Sequence, residues 1–147
     1  MLSITLDTCV INSKGKLLAM NKLEQWHDEE KIQLDITDIM ERESTPKSSQ
    51  WQKQDKYVFQ CLRPDKIKYP LRFDIFKNIL FPNVKILNGR QKMDVNQICA
   101  HLKYGNEFFV TNDKNFIRHR ENLNKNDVFI LTPDECVQLL MKKYGWR

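Results

Sequence analysis

Three aspartates stand where carboxylates could bind a metal ion. Asp7 lies alone in the uncharged run SITLDTCVIN, Asp113 follows the strand-like run EFFVTN, and Asp94 begins the predicted helix DVNQICAHLKYG between them. In an open α/β sheet, ligands bind outside the carboxyl ends of the strands, where such residues meet. Carboxylates gathered in one cleft repel each other, and a hard divalent cation offsets that repulsion. The three aspartates therefore predict a site for Mg²⁺ or Mn²⁺.

A fourth acid is predicted from helical spacing. Glu43 follows Ile39 and Met40 by four and three residues, so it shares the apolar face of the helix DIMERES. Glu41 points elsewhere, but a helix start that differs by one or two residues would exchange the two glutamates, so Glu41 stays the alternative. Beside Asp113, Thr111 and Asn112 supply hydrogen-bonding side chains.

Alternating strands and helices must position these acids. Apolar or β-branched runs predict strands at 2–6, 31–36, 83–87, 107–111 and 127–131. Helical spacing predicts helices in 16–30, 38–44, 71–80, 94–105, 113–126 and 132–146, with Gly105 as a C-terminal cap and Pro133 in the first turn of the last helix. Within 44–70, only WQKQDKYVFQCL has helical spacing. This order predicts an α/β fold with a central, mainly parallel sheet covered on both faces.

Composition limits the possible classes of protein. A chain of 147 residues with 41% hydrophobic residues suffices for one domain with a core. Its 24 Lys and Arg against 19 Asp and Glu give a net charge of +5, which favours an anionic partner such as nucleic acid, and Arg118 and Arg120 could contact phosphates. The 4 cysteines form no CxxC pair, and no apolar run would span a bilayer, so we expect a cytoplasmic protein without a membrane segment.

Three stretches, in order, resemble the PIN-domain nucleases, which include VapC-like and PilT N-terminus-like proteins: ITLDTCVI, DVNQICAHLKYGNEFFVTNDKNF and ILTPDECVQLL. The resemblance implies a three-layer α/β/α sandwich, with residues 1–147 as one PIN-like domain and a variable helical insertion around 44–82. It also implies catalytic, metal-binding roles for four acids and a supporting role for Thr8. Those acids are Asp7, Glu43 (alternatively Glu41), Asp94 and Asp113.

The activity implied by this resemblance is that of an endonuclease, most directly an endoribonuclease. In it, Mg²⁺ or Mn²⁺ activates a water that attacks single-stranded RNA, with DNA as the alternative substrate. Small solitary members are often toxins of the VapC type, so an antitoxin-type protein and a second copy of the chain are the implied protein partners. Relatives often carry a further acid where this chain has Asn115, so the number of metal ions stays open.

Other readings of the same residues stand beside this one. Asn115 supports an inactive PIN-fold protein that serves as an RNA- or protein-binding module. Asp94 and Asp113 could each be a helix cap, and Asp7 a buried structural aspartate. Glu43 could be a solvated surface residue, and His101 a packing residue.

Overall fold

A computed structural model describes residues 1–11, 18–37, 58–60 and 70–147. The strands are β1 (Leu2–Leu6), β2 (Ile32–Thr37), β3 (Val58–Gln60), β4 (Phe108–Val110) and β5 (Ile130–Leu131). The helices are α1 (Thr8–Ile11), α2 (Leu18–Asp28), α3 (Pro70–Leu80), α4 (Gly89–Tyr104), α5 (Lys114–Arg118), α6 (Arg120–Lys125) and α7 (Pro133–Tyr144). None of the helices in these ranges is long and apolar enough to cross a membrane.

The five strands form one sheet in the order β3-β2-β1-β4-β5. Each neighbouring pair is parallel, which confirms the α/β fold with a parallel sheet. The order reverses between β1 and β4, because the chain adds β2 and β3 on one side of β1 and then returns to add β4 and β5 on the other. This reversal makes the carboxyl ends of β1 and β4 the edges of a crevice.

The two faces of the sheet belong to two hydrophobic clusters. Ile4 and Leu6 of β1 pack with α2 and α7, whereas Phe109 of β4 packs with α3, α4, α5 and α6. Alternate residues of a strand point to opposite faces, so Thr5 and Asp7 share the second face with the α4 side of the molecule. Helices therefore cover both faces, as in a three-layer arrangement.

Local signals account for the helix ends. The Thr132 side chain accepts from the Glu135 backbone N–H and the Glu135 side chain bonds back, a capping box with Pro133 in the first turn. Gly105 ends α4 in the left-handed conformation, at φ 70°, as predicted. Asp94 does not begin this helix, contrary to the prediction, because Asn88 caps it six residues earlier.

Other elements differ from their predictions. Residues 83–87, predicted as a strand, form turns and an irregular connection between α3 and α4, in which the Ile86 side chain is 86% exposed. Residues 58–60, part of a run with helical spacing, form the strand β3 because they pair with β2. The single helix predicted over 113–126 is two helices that meet at His119.

The segment 44–82 lies partly inside the described ranges. Its described residues include β3, which extends the sheet, and α3, which confirms the helix predicted at 71–80. Thr37, which directly precedes the helix predicted through DIMERES, is the last residue of β2. That helix, with Glu41 and Glu43, lies outside the described residues.

Candidate functional site

Asp7 follows β1 directly, and its side chain is almost wholly buried, at 5% exposure. Its backbone N–H donates to the carbonyl oxygen of Val110 at 3.0 Å, so the contact between β1 and β4 continues as far as this aspartate. A carboxylate removed from water requires hydrogen-bond donors or cations beside it. Thr111, the residue that follows β4, supplies one of those donors.

Thr111 links the two strand ends. It is fully buried, and its hydroxyl donates to Asp7 Oδ2 at 2.7 Å. The hydroxyl oxygen of Thr111 in turn accepts from the backbone N–H of Asp113 at 2.9 Å. The structure thus brings the predicted residues Asp7, Thr111 and Asp113 together at the crevice between β1 and β4.

Asp113 is the N-terminal cap of α5. Its Oδ1 accepts from the backbone N–H of Asn115 at 2.8 Å, so the capping alternative is correct for this residue. The Asn115 side-chain amide donates to the Leu80 carbonyl at 3.1 Å and ties α5 to the end of α3. Capping leaves a carboxylate able to accept further ligands, because each of its two oxygens has two lone pairs.

Cys9 is a neighbour of the site that sequence reasoning missed. Its Sγ lies 3.5 Å from Asp7 Oδ2 and 3.5 Å from Thr111 Oγ1, and it accepts from the backbone N–H of Asn112 at 3.3 Å. Desolvation of the sulfur, and then the charge of Asp7, raise the pKa of the Cys9 thiol to about 12. The thiol is therefore protonated at neutral pH and acts as a neutral donor toward Asp7.

Asp94 lies in the second turn of α4, half-buried, on a face that it shares with Gln97 and His101. That face meets the sheet, because His101 Nδ1 is 2.7 Å from Thr5 Oγ1. Since α4 leads directly into β4, its N-terminal half lies toward the carboxyl ends of the parallel strands. Asp94 is thus on the inward side of α4 at the end of the sheet where Asp7 lies.

The donor chemistry at this end fits a hard divalent cation, because carboxylate and hydroxyl oxygens are what Mg²⁺ and Mn²⁺ prefer. Within residues 1–11, 18–37, 58–60 and 70–147, no three His, Cys, Asp or Glu side chains form a group that could hold a metal. Glu41, Glu43 and the side chain of Thr8 lie outside the part of the chain that the structure describes. A metal site closed by one of the glutamates stays a prediction.

A buried polar layer continues beneath the site. Thr5 Oγ1 also accepts from Asn106 Nδ2 at 2.9 Å, and the same amide donates to Asp35 Oδ2 at 3.1 Å. Asp35 Oδ1 accepts from Gln33 Nε2 at 3.1 Å. Asp35 was missed although it carries the same signal as Asp7, a single acid within an apolar strand, IQLDIT.

The two predicted phosphate-binding arginines have different surroundings. Arg120 Nη1 donates to both carboxylate oxygens of Glu135, at 2.8 and 2.9 Å, and so joins α6 to the cap of α7. Arg118 is exposed at the end of α5. Further exposed cations lie on the connection before α4, in the first turn of α4 and on α5, at the same end of the sheet as Asp7: Lys85, Arg90, Lys92 and Lys114.

Comparison of the chain with protein-family models, with curated proteins and with solved structures found no match in any of the three. The interpretation of the site therefore depends on its own geometry and on the resemblance carried by its sequence motifs.

Proposed function

We propose that this chain is a metal-dependent endonuclease of the PIN-domain type that cleaves single-stranded RNA. One observation carries the proposal: Asp7 directly follows β1 and Asp113 follows β4 by three residues, where the strand order reverses, and the Thr111 hydroxyl bonds to the Asp7 carboxylate and to the Asp113 backbone N–H. In open parallel sheets, this crevice is where ligands bind. Two acids at such a point, Asp7 buried and Asp113 half-buried, are better explained by a cationic ligand than by packing, because like charges brought together repel.

The residues of the chain have separate roles in this proposal. Asp7, Asp94 and Asp113 would hold Mg²⁺ or Mn²⁺ together with Glu43 or Glu41, because the three aspartates do not by themselves form a group that could hold a metal. When bound, such an ion supplies a water of lowered pKa and neutralises charge on the phosphate. Thr111 fixes one oxygen of Asp7 by its hydroxyl, so the orientation of the carboxylate is set before any ligand arrives. Cys9 contributes a second, weaker contact to the same oxygen.

The exposed cations support an anionic substrate. Lys85, Arg90, Lys92 and Lys114 belong to segments at the same end of the sheet as the acids, and Arg118 follows on α5. Lysine and arginine side chains position a nucleic acid backbone through its phosphates, without a preference for sequence. Arg120 contributes less to this surface than Arg118, because its guanidinium is paired with Glu135.

A binding module without turnover is the second candidate. It is favoured by the lack of a group of three metal ligands among the described residues and by the structural use of Asn115, which ties α5 to α3. Such a protein would bind RNA through the same cations and would ignore added metal. The two functions therefore differ in cleavage and share RNA binding.

The test compares the parent protein with Asp7→Asn on labelled single-stranded RNA, with Mn²⁺ or with EDTA. Asp134→Asn is the matched control, because Asp134 is exposed in the first turn of α7 and loses the same charge. We expect cleavage by the parent and by Asp134→Asn with Mn²⁺, and a loss of at least a hundredfold in Asp7→Asn, as for the loss of a residue that acts on the reacting atoms.

Two results would count against the nuclease, and a third would change its substrate. RNA binding without cleavage in Mn²⁺ favours the binding module. Cleavage that survives both EDTA and Asp7→Asn identifies a contaminating nuclease. Cleavage of single-stranded DNA in preference to RNA, in a parallel reaction, keeps the mechanism and corrects the substrate.

A further inference from the structure

The inner face of α4 carries a line of polar residues that a helix packed on a sheet would ordinarily fill with apolar side chains. Asp94, Gln97 and His101 recur at spacings of three and four, so they form one stripe along the helix. Gln97 is 1% exposed and His101 is fully buried. Each such group costs free energy unless it makes a specific contact, so the stripe requires an explanation beyond packing.

His101 makes that contact with β1. Its Nδ1 lies 2.7 Å from the hydroxyl oxygen of Thr5, and both side chains are fully buried. The ring is held edge-on by Phe109, with 5.5 Å between ring centres. Among the described residues, its Nε2 has no hydrogen-bond partner, so Nδ1 alone carries the polar attachment of this ring.

The bond between His101 and Thr5 lies at a set distance along the helix from Asp94 and along the strand from Asp7. Along the helix, Asp94 is seven residues from His101, which corresponds to about 10.5 Å. Along β1, Asp7 is two residues from Thr5, about 7 Å, on the same face of the sheet. Both steps run toward the carboxyl ends of the strands, because α4 is antiparallel to them. Asp94 and Asp7 therefore come to within about 3.5 Å of the same level along the strand direction when His101 is bonded to Thr5.

We propose that His101 is a positioning residue, which through its bond to Thr5 sets the height of α4 on β1 so that Asp94 faces Asp7 in the metal site. The proposal rests on the proposed function, since it concerns two of the metal ligands named there. His101 itself contacts no metal or substrate. Its effect is transmitted through Asp94.

The chain contains a matched control for this residue. His27 also joins a helix to a strand, since its Nδ1 accepts from the backbone N–H of Leu34 at 3.2 Å. It does so from α2, which packs on the opposite face of the sheet from α4. Loss of His27 tests for a general loosening of the fold, without a change in the height of α4.

Binding of Mn²⁺, followed by the electron paramagnetic resonance signal of the free ion, separates these effects. We expect the parent to bind Mn²⁺, and Thr5→Val and His101→Leu to bind it about 10- to 100-fold more weakly, as when the support of a metal ligand is lost. His101→Asn retains a polar atom near the position of Nδ1 and should lie closer to the parent. His27→Leu should have a lower urea midpoint and an unchanged dissociation constant.

A double variant decides whether His101 acts through Asp94. If it does, adding His101→Leu to Asp94→Asn weakens Mn²⁺ binding no further than Asp94→Asn alone, because the residue being positioned has already lost its charge. Additive losses would overturn the proposal, and so would an unchanged dissociation constant in folded Thr5→Val or an equal loss in His27→Leu. If His101→Leu does not fold, Thr5→Val and His101→Asn carry the comparison. A parent that binds no Mn²⁺ rejects the metal-dependent function, and the positioning role with it.

Discussion

The Thr111 hydroxyl donates to Asp7 Oδ2 at 2.7 Å, between residues 104 positions apart in the sequence. This bond joins the ends of β1 and β4 and is buried, so water cannot replace it. Thr111→Val keeps the shape of the side chain and removes the donor. We expect the free energy of unfolding to fall by about 1 to 3 kcal/mol, as for a lost bond to a buried charged group.

Urea unfolding of the parent and of Thr111→Val in EDTA measures the change. Thr111→Ser, which keeps the hydroxyl, should retain most of the stability, and equal losses in the two variants would contradict this account.

His101 predicts a loss of stability in mild acid. Burial lowers its pKa from 6.5 to about 4, because the charged imidazolium is disfavoured away from water. Below pH 6.5, the unfolded chain therefore takes up a proton that the folded chain does not, and stability falls as the pH drops until it levels off below about 4. Over this range, the histidine accounts for about 3 kcal/mol.

The measurement for His101 is the difference in unfolding free energy between pH 7 and pH 4.5, in the parent and in His101→Leu. Every other titrating group is shared by the two proteins, so the comparison isolates the histidine. The parent should lose more stability than the variant. Equal losses would contradict the lowered pKa, because they would mean that His101 takes up a proton in the folded protein as readily as in the unfolded chain.

Cys9 predicts a slow reaction with thiol reagents although part of its side chain reaches solvent. With the pKa raised to about 12, the thiolate fraction at pH 8 is very small. An aromatic disulfide reagent should react roughly 50-fold more slowly with Cys9 than with a free peptide of residues 3–12, because the smaller thiolate fraction outweighs the greater nucleophilicity of the thiolate. Mass spectrometry of the Cys9 peptide, in EDTA, follows the rate. Asp7→Asn removes the second cause of the shift and should speed the reaction, and a rate equal to that of the peptide would contradict the shift.

Two glycines of α4 predict opposite effects of the same substitution. An added Cβ meets no atom within 4 Å at either Gly89 or Gly105, so contacts do not distinguish them. Gly105 has φ 70°, where alanine is strained, whereas Gly89 is the first helical residue. Gly105→Ala should lower the free energy of unfolding by about 1 kcal/mol, and Gly89→Ala should leave it unchanged or raise it by up to about 1 kcal/mol. Thermal melts of both variants test this, and changes of equal sign would be inconsistent with it.

The parts of the fold that were predicted correctly depend on local signals. The helices α2 and α7 combine apolar spacing with nearby caps or turns, and the strands β1 and β2 are apolar runs, so neighbouring residues suffice to identify them. The start of α4 was misplaced at Asp94 although the capping box of Asn88 and Gln91 is visible in the letters NGRQ. Residues 83–87 have the composition of a strand, yet none of the five described strands pairs with them. The composition of a segment does not show whether a strand is available to pair with it.

The residues of the candidate site also fall into those that a local sequence signal indicates and those that only the packing of the elements reveals. Asp7, Thr111 and Asp113 were predicted from their places at strand ends, which a sequence pattern indicates directly. The contacts of Cys9 with Asp7 and of His101 with Thr5 join residues on different elements, and their partners follow only from the packing of those elements. His101 was interpreted as a packing residue because no local pattern indicates which strand a buried histidine meets.

The central place of β1 in the sheet also governs when the site can form during synthesis. Asp7 is made early, but the strand that supplies Thr111 and Asp113 begins only at Phe108. Thr111 is made 104 residues after Asp7, so until then a nascent chain carries this acid without the residues that complete its surroundings. Contacts between such distant segments form late because the intervening chain must first be ordered. Fragments of the protein that end before β4 should therefore lack the bonds from Asp7 to Val110 and Thr111, whatever helices they retain.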